Sequence, residues 1–156
     1  MEVRVRGARA SDAPAVSRLY YETVHRVNSR DYRPDQIAAW APRVHPAEFW
    51  VRRWRRYRVL VAEVGGQVAG FAELGDEGHI ACFYVHHAWQ GRGVGSALMG
   101  RLVSESRRRG TAQLLADASL TAAPFFHRMG FRILRRQAPI YRNRRFKQYL
   151  MRRRLR

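Results

Sequence analysis

Residues Trp89–Leu98 read WQGRGVGSAL. Gly91, Gly93, Gly95 and Arg92 separate an apolar run, His79–Val85, from a helical pattern that begins at Ser96. Glycine weakens regular structure, so this density of glycine argues for a loop whose purpose is not stability. A strand, a glycine loop and a helix in that order bring unpaired backbone amides and the positive end of a helix dipole to one place. Glycines let phosphate oxygens approach those donors, and Arg92 can add a charged fork. The plainer alternative is a tight turn. Two better-known phosphate loops do not fit. A P-loop ends in Gly-Lys-Ser/Thr, and this loop has no lysine; the dinucleotide fingerprint follows the first strand of a βαβ unit, whereas this loop follows an antiparallel meander.

The 156 residues suit one domain, spanning 1–156, with one core. No apolar run approaches the roughly 20 residues that span a bilayer, and MEVRVRGARASD has no secretory signal pattern. A cytoplasmic protein without a membrane partner is the expectation. The one cysteine, Cys82, excludes a disulfide framework and a multi-cysteine zinc site, and no metal is expected. Lys+Arg is 30 against Asp+Glu 12, a formal charge of +18. All but Lys147 of that positive charge is arginine. A GC-rich genome accounts for arginine in place of lysine but not for the shortage of acids. The charge predicts attraction to polyanions: an anionic cofactor, an acidic partner or nucleic acid.

Glu2–Arg6 alternates like a half-buried strand. Ser11 and Asp12 offer helix-capping chemistry ahead of Pro14, and Ala15 to Val27 recur at helical spacing in a helix that runs to about Ser29. PDQIAAWAP (34–42) and PAEFWVRRWRRY (46–57) are further helical stretches. In the second, Phe49, Trp50 and Trp54 share one face and Arg52, Arg53, Arg55 and Arg56 the solvated other. Val59–Val64 and Gln67–Leu74 form a hairpin across Gly65-Gly66, and His79–Val85 is a third strand. After the glycine loop come a helix to Arg109, a strand at Gln113–Ala118, a short helix at Thr121–Met129 and two closing strands, Phe131–Arg136 and Arg145–Arg153, paired with each other. The order β-α-α-β-β-β-α-β-α-β-β predicts an α/β (α+β) fold: a mixed, mostly antiparallel sheet with helices on both faces.

VHHAWQGRGVGSALM resembles the Q/R-x-x-G-x-G/A acetyl-CoA signature of the GNAT N-acetyltransferase superfamily, read as Gln90-Gly91-Arg92-Gly93-Val94-Gly95. ASLTAAPFFHRMGFR is similar to that family's short helix ending in a Met/Leu-Gly-Phe step, and EVGGQVAGFAEL to its central hairpin. The resemblance covers nearly the whole chain and implies a small single-domain bacterial GNAT. It implies that His79–Val85 and Gln113–Ala118 are parallel neighbours that splay, with acetyl-CoA's pantetheine arm in the gap. Phe83, Tyr84 and Val85 would then meet pantetheine through their backbone. Gln90, Gly91, Arg92, Gly93, Val94, Gly95 and Ser96 would hold the pyrophosphate, and Phe126 would pack near the thioester. This implied activity is direct transfer of an acetyl group to a primary amine of a small molecule or peptide.

An amine near its ordinary pKa must lose a proton before it attacks, which calls for a base. His79, at the start of the strand that enters the loop, and Glu73, on its neighbour, are the two candidates. The residue at Phe126 is a tyrosine in many relatives and the usual acid; phenylalanine has no proton to give. Tyr84 or Tyr141 can serve instead, or the thiolate departs unaided. Cys82 reads as core. Tyr21, His25, Asn28, Tyr32, Trp40 and Tyr141 are the candidates for the acceptor pocket. A rival reading is a catalytically weak GNAT fold that binds acyl-CoA, nucleic acid or a protein partner. Nucleic acid ranks behind the anionic cofactor, and the chain is expected as a monomer or homodimer.

Overall fold

The computed structural model describes all residues, 1–156. The chain forms β1 (Arg4–Gly7), α1 (Ala13–Arg26), α2 (Pro34–Trp40), α3 (Ala47–Arg53), β2 (Arg58–Val64), β3 (Gln67–Leu74), β4 (His79–Val85), α4 (Val94–Arg108), β5 (Gln113–Ser119), α5 (Ala123–Arg128), β6 (Arg132–Gln137), the short β7 (Ile140–Tyr141) and β8 (Arg144–Arg145), and β9 (Gln148–Arg154). Seven strands make one sheet in the order β1-β2-β3-β4-β5-β9-β6. Every neighbouring pair is antiparallel except β4–β5. The β2–β3 turn works because Gly65 and Gly66 both have positive φ, 57° and 79°, as a tight hairpin requires.

Alternation along the strands divides the core between the two faces. Leu60, Ala62, Ala72, Ile80, Leu114 and Ala116 point toward α4 and α5 and join Leu98, Met99, Leu102 and Phe126. Val61, Phe71 and Cys82 point the other way, against Val16 and Leu19 of α1 and Trp50 of α3. A third cluster joins Val24, Tyr32, Ile37, Ala41 and Phe146, which ties α2 to the segment before β9. No helix is long and apolar enough to cross a membrane.

The structure departs from the sequence reading in four places. The opening helix ends at Arg26, and a separate 3-10 turn covers Asn28–Arg30. Asp12 does not cap α1. Its carboxylate accepts the Arg9 amide at 2.7 Å and the Arg6 fork at 2.8 and 2.9 Å, and Arg6 also reaches Glu63 at 3.1 Å. That fork holds the Asp12 carboxyl below its usual range. A small hairpin, β7–β8, occupies the connection before the last strand, and β9 lies between β5 and β6 rather than beside β6 alone. Finally, Arg53 does not share the solvated face of α3. It turns inward, and its Nε donates to Glu73 Oε1 at 2.7 Å.

A second buried carboxylate, Glu105 on α4, accepts from Arg58 at 3.0 and 3.1 Å and from Arg101 at 2.7 Å. These donors lower its pKa from 4.5 to about 2. A carboxylate whose folded pKa is depressed contributes stability that is complete above the unfolded pKa and is lost as pH falls through the folded one. In urea titrations, Glu105→Gln should therefore be less stable than the parent near neutral pH. The difference should shrink as pH falls from 4.5 toward about 2.

Candidate active site

Strands β4 and β5 pair only at His79–Leu115 and Ile80–Ala116. Beyond that point they part. The reason lies on the opposite edge of β4: Cys82 sits across from Glu73 and Ile80 across from Leu74, so Ala81 is the extra residue of a bulge. A bulge bends its strand and increases the local twist. The free edges of β4 and β5 then bound a cavity of about 710 Å³. Its lining runs without a break from the head of α4, through the parting, to the aromatic residues of α1–α3.

At one end stands the glycine loop. None of the backbone amides from Gln90 to Ser96 donates to a protein acceptor; the first to find one is Ala97, which donates to Gly93 O at 3.0 Å. Unpaired amides at the positive end of a 15-residue helix form an anion receptor. The loop glycines have two different causes. Gly91 and Gly93 lie at φ 70° and 85°, where an L side chain is strained, and an added Cβ would meet nothing within 4 Å. Gly95 is a matter of space, since its Cβ would fall 2.8 Å from the Phe125 ring. Val94 is buried in the core and fixes the start of α4. Arg92 lies over the Trp89 ring at 5.3 Å. Gln90 folds back, and its Nε2 donates to Val85 O at 2.7 Å. Thr23 Oγ1 donates to the same carbonyl at 3.2 Å, so Val85 can meet a ligand only through its amide.

In the middle of the cavity lie Phe83, Tyr84, Asp117, Ser119, Thr121 and Phe126. Phe126 is buried and packs edge-on against Phe83 and Phe131, at 5.7 and 5.0 Å. Thr121 Oγ1 is buried and has no hydrogen-bond partner. An orphaned hydroxyl and a run of unpaired amides along one cleft are what a ligand with a diphosphate and a polar arm would satisfy. The residues present therefore fit acetyl-CoA.

The sequence-derived catalytic candidates fare differently. Glu73 does not line the cavity. It is fully buried, and its oxygens accept from Arg53 Nε at 2.7 Å and from Trp54 Nε1 at 2.9 Å. A carboxylate so enclosed holds α3 on the sheet and has no path to an amine. His79 lies at the foot of the parting, outside the cavity wall, with Nε2 2.9 Å from Asp117 Oδ2. Gln137 donates to the other oxygen of Asp117. The hydrogen bond that the His79 ring donates to Asp117 raises the His79 pKa above 6.5, and the same bond lowers that of Asp117. Tyr84 lines the cavity, stacked on Phe71 and edge-on to Tyr20; burial raises its pKa well above 10.0, so the phenol stays protonated. Burial likewise raises the Cys82 thiol, which leaves no thiolate nucleophile.

Of the acceptor candidates, Asn28, Tyr32, Trp40 and Tyr141 line the cavity. Tyr32 is largely committed elsewhere. Its hydroxyl donates to Lys147 O and accepts from the Leu120 amide at 2.9 Å. Tyr21 and His25 lie outside. They stack on each other at 4.1 Å, and His25 Nε2 contacts Ala41 O at 2.7 Å, which ties α1 to the end of α2. The wall also includes Tyr20, His45, Phe49, Trp50, Arg53 and Phe146, none of which the sequence singled out for the site. Tyr20 and Trp50 sit on the apolar faces of their helices and carry no mark that separates a cavity wall from a core.

A family model described as an acetyltransferase (GNAT) domain matches residues 28–146. The chain belongs to the GNAT acetyltransferase family. The N-acetyltransferase YafP of Escherichia coli K12 is 30% identical over 150 residues, which cover 96% of this chain and 95% of that protein. The L-methionine sulfoximine/L-methionine sulfone acetyltransferase of Salmonella typhimurium is 30% identical over 144 residues, 83% of this chain and 80% of that protein. The acetyltransferase yncA of Salmonella typhimurium, solved with acetyl-CoA, superposes with a TM-score of 0.76 at 25% identity, covering 100% of this chain and 95% of the other. Acetyl-CoA is the cosubstrate of this GNAT enzyme, and its activity is N-acetyl transfer.

Replacing Gly93 by valine forces a β-branched residue into a left-handed conformation that costs about 1–2 kcal/mol even for simpler side chains. The loop should relax and turn its amides away. Titration calorimetry should show the CoA dissociation constant rising by about tenfold or more, that being 1.4 kcal/mol of lost binding.

Proposed function

We propose that this GNAT enzyme acetylates the α-amino group of a small amino acid or amino-acid-like amine by direct transfer in a ternary complex. One observation carries the reading: Asp117 is the one carboxylate that lines the cavity, and it is hydrogen-bonded to His79. An incoming ammonium group has one anion to seek. Behind that anion stands an imidazole of raised pKa, a better proton acceptor than the carboxylate itself. In this scheme Asp117 receives the ammonium group, and one ammonium proton passes by way of the carboxylate to Nε2 of neutral His79, whose own proton then sits on Nδ1. The freed amine is then held facing the parting of β4 and β5.

Acetyl-CoA supplies the acetyl group and leaves as a thiolate when the carbon–sulfur bond breaks. The chain contributes backbone donors along β4 to the developing oxyanion. Phe126 gives no proton; the protonated phenol of Tyr84 and the unpartnered hydroxyl of Thr121 are the donors this cavity offers.

The opposite wall supports a carboxylate on the acceptor. Arg53 lines the cavity with Nε committed to Glu73 and Nη2 near Cys82 Sγ at 3.7 Å, while its Nη1 has no hydrogen-bond partner. A guanidinium with one edge free suits a carboxylate. Around it Tyr20, Phe49 and Trp50 form an aromatic wall suited to an apolar side chain. The similarity to an acetyltransferase named for L-methionine sulfoximine and L-methionine sulfone agrees with an amino-acid acceptor.

Two measurements test this. For any accepted L-amino acid, kcat/KM should exceed that of its decarboxylated amine by about a hundredfold, the loss expected when a charged group is left without its partner. Equal rates would remove Arg53 from recognition. Turnover requires neutral His79, so the acid limb of kcat/KM should lie above pH 6.5. Asp117→Asn removes the interaction that raises His79, so the limb should move to lower pH while the acceptor KM rises about tenfold. A profile unchanged in both respects would leave the pair without a role.

A further inference from the structure

Three side chains outside the acetyl-transfer cavity converge in a way the reaction does not use. Glu22 of α1 faces His86 and His87, the two residues that follow β4. Glu22 Oε2 is 3.4 Å from His87 Nε2 and 3.6 Å from His86 Nε2. One donor atom from each residue lies within 4.8 Å of the other two, and all three residues are half-buried. The two imidazoles stack, with ring centres 4.2 Å apart, so one ring must swing out of the stack before both nitrogen lone pairs meet a single ion.

These separations are long for hydrogen bonds, which run about 2.7–3.2 Å from nitrogen to oxygen. They are close to what donors show when they share an ion. Bonds of about 2.0–2.2 Å to a tetrahedral centre put neighbouring ligand atoms about 3.3–3.5 Å apart. Two imidazoles and one carboxylate are borderline donors of the kind zinc and its first-row neighbours take, and three protein ligands leave a fourth position for water. We propose that Glu22, His86 and His87 form a binding site for a divalent transition-metal ion of the zinc type.

The three ligands do not stand ready equally. The side chains of Glu22 and His87 meet only in the 3.4 Å contact with each other and the longer one to His86, so each can turn its donor atom to an ion. His86 Nδ1 accepts the Ala88 amide at 3.0 Å, which places the neutral ring's proton on Nε2. Ion capture through Nε2 shifts that proton to Nδ1 and gives up the contact with Ala88. Arg26, one turn further along α1, adds positive charge nearby, against which Glu22 supplies the one carboxylate. Protons compete for the same nitrogens, so affinity should fall as pH drops through the histidine range.

The ion would bridge two elements that matter to the enzyme. Thr23, next to Glu22, already ties α1 to the end of β4 through Val85 O. His86 and His87 begin the turn that leads to Gln90 and the unpaired amides. A bound ion would add a second tie at that crossing and stabilise the fold by mass action.

The test uses untagged, metal-stripped full-length protein at neutral pH, titrated with zinc chloride against a chromophoric chelator. The expected result is one equivalent bound. Glu22→Gln and His87→Ala should each weaken binding by about tenfold or more, since each removes one of three ligands. His127→Ala, an exposed ring on α5, should bind like the parent. Cobalt(II) should give the absorption of a tetrahedral site in the parent and lose it in His87→Ala. Zinc should raise the melting temperature of the parent and leave that of Glu22→Gln unmoved. No stoichiometric binding, or equal affinity in the parent and both ligand variants, overturns the proposal. So does a loss in His127→Ala as large as in His87→Ala.

Discussion

The separation of β4 from β5 after Ile80 and Ala116 is the constraint on which the site depends. Two parallel strands in the middle of a sheet would ordinarily satisfy each other's backbone groups along their length. Here they do so for two residue pairs and then leave those groups to a ligand. The bulge at Ala81 makes the departure stable, because it is fixed from the β3 side by the pairing of Glu73 with Cys82. Glu73 is therefore more than a buried charge. With Arg53 and Trp54 on its oxygens, it fastens α3 beside the place where the sheet opens. Breaking a buried pair by removing one partner costs about 3–5 kcal/mol. The pair works as a fastener, which is why its carboxylate is unsuited to proton transfer.

The same logic of groups left for a ligand governs the loop. An array of amides without acceptors persists in the free protein because it faces an open cleft where water can solvate it. The glycines are needed there for conformation at Gly91 and Gly93 and for helix packing at Gly95. Both requirements serve one end, since the helix must start close to the sheet with its amides outward.

Much of this was legible in the sequence. Strand alternation, the Gly65-Gly66 turn and the apolar spacing of α1 and α4 are local patterns, and each predicted its element within a few residues. The glycine loop was legible for the same reason: its chemistry is contiguous. The half proposed for the acceptor was not. Asp117 meets His79 across two strands, and Arg53 meets Glu73 across a helix and a strand. A helical wheel put Arg53 with its solvated neighbours, and only the position of Glu73 draws it inward. Asn28, Trp40 and Tyr141, which the sequence offers as aromatic or polar residues for the acceptor pocket, line the cavity. Tyr21 and His25 were placed there by the same reasoning and instead pack outside, because α1 turns a different face to the cavity.

The two ends of the cavity are built from opposite sides of the sheet. The end with the glycine loop leans on the cluster of α4 and α5, and the end proposed for the acceptor on those of α1, α2 and α3. Side chains such as Phe49, Trp40 and Tyr141 can therefore change without disturbing the packing that sets the diphosphate receptor. A lineage that duplicated this chain could explore new amines on one side while inheriting an intact acyl donor site on the other. The sheet acts as a partition between the packing that sets the glycine loop and the wall proposed to meet the amine.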